Sequence, residues 1–187
     1  MSTATITALP QLTGTYAIDP SHSRLGFVAR HAMVTKVRGA FNDFEGTIVL
    51  DGEVPANSSA EVTIEVASID TRNEDRDGHL RSNDFFDPEQ YPQITFATTA
   101  IEQLDESNYR VTGDLTIKGT TKPVTIDFEY NGAATDPFGN ERIGFEGAVT
   151  VNRKDWGVNW NAALDTGGVL VSEKVTLEFE ISAIKQA

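Results

Sequence analysis

The stretch Tyr109-Arg110-Val111-Thr112-Gly113-Asp114-Leu115-Thr116-Ile117-Lys118-Gly119-Thr120-Thr121-Lys122-Pro123-Val124-Thr125-Ile126-Asp127-Phe128-Glu129-Tyr130 decides the fold class. Tyr109, Val111, Leu115 and Ile117 alternate with Arg110, Thr112, Asp114 and Lys118, and Val124, Ile126, Phe128 and Tyr130 alternate with Thr125, Asp127 and Glu129. A period of two places every apolar side chain on one face of an extended chain, and a helical period of 3.6 does not fit. Lys118-Gly119-Thr120 between the two runs is a hairpin turn, which makes the pair antiparallel.

The same period extends in both directions. Upstream, Ser23, Leu25, Phe27, Ala29 and His31 share one parity and Arg24 and Arg30 the other. From Gly39 to Leu50 the phase slips, because Phe41 is odd while Phe44, Ile48 and Leu50 are even; a bulge at Asn42 or Asp43 restores it. After Asp51-Gly52 and the Pro55–Ser59 turn cluster, Val62, Ile64 and Val66 alternate with Glu61, Thr63 and Glu65. Further strands are expected at Ile94–Ile101, at Ile143–Val151 after the Asp136–Asn140 turn, and at Val169–Ile181. The result is an all-β chain of eight sequential, mainly antiparallel strands. Closing such a sheet removes its edges, and eight strands make a barrel just wide enough to be packed solid or to hold one small ligand. Strand count alone leaves a two-sheet sandwich open.

Two segments break the pattern. Residues 70–92 are long for a hairpin loop and predict a short helix with Asn73 as N-cap. Residues 153–168 place Trp156, Trp160 and Leu164 four apart, which predicts a helical turn stopped by Gly167-Gly168. Both are expected to cover a barrel end. Residues 1–12 read as a loose leader, and 13–187 as the domain, with regular structure starting near Gly14.

Composition narrows the function classes. With 187 residues, 39% of them hydrophobic, the chain suits one domain rather than two. Fifteen basic against 28 acidic residues give a net charge of −13, which repels phosphate backbones, so nucleic acid is not an expected partner. There is no cysteine, hence no disulfide, thiolate nucleophile or Cys-based zinc site. No window approaches the roughly 18 apolar residues of a membrane-spanning helix. Met1–Leu12 lacks the basic start and continuous apolar run of a secretory signal, and the expectation is a cytoplasmic protein.

Catalysis has no positive signal. There is no G-x-S-x-G elbow or Gly-rich phosphate loop, and Lys118-Gly119-Thr120 is a turn rather than part of one. Asp75 and Asp77 do not face each other at i, i+2 of a helix. His22 and His31 differ in parity, which argues against a metal site with His79. No catalytic residue, metal or cofactor is expected. The informative feature is the aromatic strand face, which carries Phe27, Phe41, Phe44, Phe96, Phe128, Phe145 and Phe179. Aromatics at strand period serve a packed core as well as a ligand pore, so the residues leave both readings open.

A resemblance favours the pore. Tyr16-Ala17-Ile18-Asp19-Pro20-Ser21-His22-Ser23 with Phe27 and His31, then Asn73–Leu80 with Arg76-Asp77 and His79-Leu80, Asp84-Phe85-Phe86-Asp87, Tyr91-Pro92, Ile94-Thr95-Phe96 and Gly113–Gly119 resemble, in order and spacing, the motifs of the YceI-like, polyisoprenoid-binding family. The resemblance spans about residues 14–184. It implies an extended eight-stranded lipocalin-like barrel with short helical segments in its connectors. It also implies an apolar pore for a long isoprenoid or similar amphiphile, such as a polyprenyl quinone, polyprenyl phosphate or fatty amide, in a carrier or sequestering protein that forms a homodimer. Pore-lining candidates are the seven strand phenylalanines with Leu80, Phe85, Phe86, Leu115, Trp156 and Trp160. A polar mouth is expected from His22, Arg76, Asp77 and His79, near an opening beside residues 70–92, with a fold-clamping ion pair as the structural alternative. The acidic excess favours a neutral head over a bare pyrophosphate. The competing function is a packed barrel acting in protein association or stress response without a lipid.

Overall fold

The computed structural model describes residues 10–164 and 167–187, so the predicted leader lies outside the described residues up to residue 9. Among the described residues eleven strands are present: β1 (Gly14–Ile18), β2 (Arg24–His31), β3 (Thr35–Phe41), β4 (Phe44–Leu50), β5 (Ser59–Glu65), β6 (Ile69–Asp70), β7 (Gln93–Gln103), β8 (Asn108–Ile117), β9 (Thr120–Thr135), β10 (Glu141–Asn152) and β11 (Lys174–Lys185). All pair antiparallel in one sheet. The ring β1-β4-β5-β7-β8-β9-β10-β11 closes because β1 also pairs with β11. Strands β2, β3 and β6 prolong β1, β4 and β5: β11 meets β1 at Tyr16↔Lys185 and β2 at Val28↔Thr176 along the same edge. The barrel therefore has eight staves, three of them broken once.

The breaks have local causes. Between β3 and β4 lie Asn42 and Asp43, where the phase slip was expected. The interruption turns odd Phe41 and even Ile48 to the same interior. Between β1 and β2, Asp19 caps a 3-10 turn over Pro20–His22, its carboxylate accepting from the Ser21 N–H at 3.0 Å. The β8–β9 turn puts Lys118 and Gly119 at φ 52° and 75°, the left-handed pair that tight hairpins need.

The helix α1 (Glu74–Leu80) starts where predicted, with the Asn73 side chain accepting from the Arg76 N–H at 3.0 Å. The helical turn predicted over 153–168 does not form as expected. Only Arg153–Trp156 makes a 3-10 turn, ended by Gly157 at φ 79°, and Trp160 and Leu164 lie in irregular chain. The Asn161 side chain bonds both the N–H (3.0 Å) and the C=O (2.8 Å) of Val171, which holds the segment extended. Consequently β11 begins at Lys174 rather than Val169, and Val171 makes only an isolated bridge to His31. The strand β1 is an addition: two apolar residues, Tyr16 and Ile18, are too few to show a period.

The barrel has two unlike ends. The loop end carries the β4–β5 connection, the β7–β8 turn, the β9–β10 turn and the outer ends of β1 and β11. The strap end is crossed by the 71–92 connector and by the strap that follows β10.

Candidate functional site

The barrel encloses a cavity of about 290 Å³ that runs from Leu12, Leu50 and Gln103 at the loop end to Phe85, Trp156 and Val158 at the strap end. Its wall is almost wholly apolar, as the inward parity of each stave requires: Ile48 and Leu50 from β4, Val62 and Ile64 from β5, Ile126, Phe128 and Tyr130 from β9, and Leu177, Phe179 and Ile181 from β11. The aromatic strand face thus borders a lined space.

Glycines keep the space from filling. Phe27 on β2 faces Gly39 on β3, and a Cβ at Gly39 would stand 2.3 Å from the ring. Likewise a Cβ at Gly113 on β8 would stand 2.5 Å from the ring of Phe96 on β7. Each ring occupies, over a neighbouring strand, the place that a side chain on that strand would take. Both strands gain contact area without the interior being packed shut.

Of the pore candidates, Phe27, Phe41, Leu80, Phe85, Phe86, Phe96, Leu115, Phe128, Phe145, Trp156 and Phe179 stand on the cavity wall. Phe44 and Trp160 do not. Phe44, just past the Asn42–Asp43 break, is buried in the core cluster with Ile18 and Ile64. Trp160 lies outside, its ring centroid 5.3 Å from that of Phe85 and 4.6 Å from that of His79, backing the wall. Trp156 is buried and donates from Nε1 to the Leu115 carbonyl at 2.8 Å, which fixes it as the floor of the strap end.

None of the four residues expected at a polar mouth, His22, Arg76, Asp77 and His79, lies on the cavity wall. Asp77, 6% exposed, accepts from the backbone N–H of Thr71 at 2.9 Å and from the Thr71 hydroxyl. Arg76 donates to the Thr71 hydroxyl and carbonyl, both at 2.7 Å. His79 Nε2 meets Asp84 at 2.8 Å, and His22 Nδ1 meets Asp19 at 2.8 Å. Arg76 and Asp77 clamp the start of the 71–92 connector, whose Leu80 and Phe86 line the cavity. Its Phe85 is buried and lines the cavity. The exposed lining residue, Ser59, belongs to the loop end, beside half-buried Asp51, Pro55 and Ser58, which makes that end the candidate lip.

Three polar groups of the wall escaped the sequence reading. Arg153, 7% exposed, donates from Nε to Ser172 O (2.8 Å) and from Nη1 to Val158 O (2.6 Å), pinning the strap across the floor. Burial draws its pKa below the ordinary guanidinium value. Tyr109 and Tyr130 line the loop end, and burial raises both phenols above the ordinary tyrosine value. Tyrosine at an inward strand position reads as packing, so nothing in the pattern marked them. Beside that end, Arg142 bridges Asp19 and Asp136, each at 2.8 Å, and holds both carboxyls well below the usual carboxylate range. Among the described residues, no three His, Asp or Glu side chains gather as a metal site, and no helix is long and apolar enough to cross a membrane.

The YceI-like domain model matches residues 16–183. The chain belongs to the YceI-like family. A UPF0312 protein of Staphylococcus epidermidis is 43% identical over 171 residues, spanning 90% of this chain and 95% of its own length. The crystal structure of Burkholderia cenocepacia BcnA superposes with a TM-score of 0.78 at 29% identity, covering 88% of this YceI-like chain and 98% of BcnA. A polyisoprenoid-binding domain from Saccharophagus degradans shares the fold at a TM-score of 0.71 and 15% identity, covering 91% of this chain and 98% of its own. The YceI-like barrel, closed and antiparallel, is thus the architecture that the resemblance implied, and not the two-sheet sandwich that the strand pattern had left open.

Proposed function

We propose that this YceI-like chain binds a long-chain isoprenoid or a similar amphiphilic lipid in its barrel and acts as a carrier or sequestering protein, not as an enzyme. The observation that carries the reading is the continuous apolar cavity of about 290 Å³. Its wall offers dispersion and dehydration rather than charge, and each methylene buried there contributes roughly 0.8 kcal/mol before the cost of ordering a flexible chain. A polyisoprenoid-binding domain with the same fold supports the reading at the level of architecture.

Trp156 on the cavity floor supplies the assay. Titrating the folded protein with a polyprenyl quinone should quench its fluorescence saturably at one ligand per chain, and a Trp160→Phe variant should quench alike because Trp160 lies off the wall. Absence of saturable binding for quinone, polyprenyl phosphate and fatty amide alike would overturn the reading and leave the packed-barrel interaction role.

A further inference from the structure

We propose that the loop end of the cavity is a headgroup site, where the hydroxyls of Tyr109 and Tyr130 donate hydrogen bonds to a neutral, carbonyl-bearing head. This rests on the lipid-binding reading above and adds where the head sits and what chemistry it has.

The two tyrosines form one cluster. Tyr109 on β8 and Tyr130 on β9 flank Phe145 on β10, with ring centroids 6.4 Å and 5.4 Å from it, and all three line the cavity. Gln103 faces Tyr109 across β7–β8, and its side-chain N–H donates to the Tyr109 hydroxyl oxygen at 3.5 Å. The Tyr109 proton therefore stays available. Tyr130 makes no side-chain hydrogen bond among the described residues, unlike neighbouring Tyr16, whose hydroxyl donates to the Leu12 carbonyl at 2.9 Å. Both tyrosines thus stand on the wall at the loop end with their phenolic protons uncommitted, beside Gln103. Burial keeps both phenols protonated, with the Asp105 carboxylate adding to the effect at Tyr109, so both are donors at any neutral pH.

The surrounding charge selects against an anionic head. The cations of the rim are already paired, Arg142 with Asp19 and Asp136, and Lys185 with Glu141 at 3.7 Å. The cation of the cavity wall, Arg153, sits at the opposite end with Nε, Nη1 and Nη2 each donating to a backbone carbonyl. A pyrophosphate at the lip would meet carboxylates and, among the described residues there, only paired cations, whereas a quinone or amide carbonyl accepts both phenols without bringing charge into the site.

The test uses displacement of Nile red by four ligands of matched chain length: a polyprenyl quinone, a fatty amide, a polyprenyl pyrophosphate and a head-less hydrocarbon. Wild type, Tyr109→Phe, Tyr130→Phe and the double variant are compared, with near-ultraviolet circular dichroism as the control for folding. Each lost hydroxyl should weaken carbonyl-headed ligands about 5- to 10-fold and leave the hydrocarbon unchanged. Wild type should bind the pyrophosphate more weakly than the quinone. Whichever of quinone and amide loses more affinity in the double variant identifies the head that the site fits. Equal affinities of wild type and double variant for both carbonyl ligands, or pyrophosphate binding as tight as quinone, would overturn the headgroup site while leaving the lipid cavity intact. Failure of the hydrocarbon to displace the dye from wild type would overturn the cavity reading itself.

Discussion

Replacing Gly39 by Ala probes the device that keeps the barrel hollow. The backbone at Gly39 is ordinary extended strand, so alanine fits its conformation, and the three nearest atoms all belong to the Phe27 ring, whose Cζ would lie 2.3 Å from the new methyl group. Ordinary contact begins at 3.4 Å, so the ring must withdraw by about 1.1 Å, and the side away from the β2–β3 wall is the lumen. Forcing a methyl group into a packed wall costs about 1–3 kcal/mol, or roughly 2–12 °C of melting temperature for a domain of this size. The ring displaces about one methylene of ligand contact, close to 0.8 kcal/mol, which is about fourfold in Kd. Dye displacement by a polyprenyl quinone well below the melting transition reads the affinity, and thermal unfolding reads the stability. Unchanged affinity alongside the expected stability loss would show that the ring moves elsewhere and that the Phe27–Gly39 contact does not hold the lumen open. Gly113 is a less clean probe, because a Cβ there also meets the Ala97 carbonyl at 2.7 Å.

Three further outcomes follow from other contacts. Trp156→Ala removes a buried ring and its bond to Leu115, and should cost about 3–5 kcal/mol in a denaturant melt together with ligand affinity; lost binding at an unchanged melting temperature would show that the ring is not structural. Asp77→Ala breaks the clamp on Thr71 and should cost about 1.5–3 kcal/mol, with Kd unchanged at low temperature; a large affinity loss in folded protein would return Asp77 to the binding site. Because Arg142 depresses the carboxyl pKa of Asp19 and Asp136, their contribution is present above the unfolded value of about 3.9 and is lost as pH falls through the lower folded values. Melting temperatures of wild type and Arg142→Ala should therefore converge as pH drops below about 4, and a constant gap down to pH 2 would contradict the assignment.

The strand pattern carried most of the fold because parity is a local property. Val124 to Tyr130 shows its inward face without knowing its neighbours, and even the stave break at Asn42–Asp43 announced itself as a slipped phase. Two kinds of feature stayed hidden. Short staves such as Gly14–Ile18 hold too few apolar residues to display a period, and the strap after Asp155 is held by Asn161 bonding Val171, a contact ten residues away that spacing cannot reveal. The site divided in the same way. Six of the seven strand phenylalanines reached the wall, Phe44 beside the stave break being the exception, whereas Arg76, Asp77 and His79 kept a polar appearance for a structural reason, since the connector is tied down through Thr71 and Asp84. Whether an aromatic face becomes a solid core or a lining depends on what lies opposite each ring. Gly39 opposite Phe27 is a long-range pairing that only the register discloses.

The most direct test of the lipid-binding claim is mass spectrometry of an organic extract from purified, folded protein, run beside an unrelated acidic barrel prepared in parallel. The account predicts a prenyl quinone, prenyl phosphate or fatty amide near one per chain and absent from the control, with a carbonyl-headed species favoured by the tyrosine site. A clean extract, followed by failure of the protein to take up added isoprenoids, would contradict it.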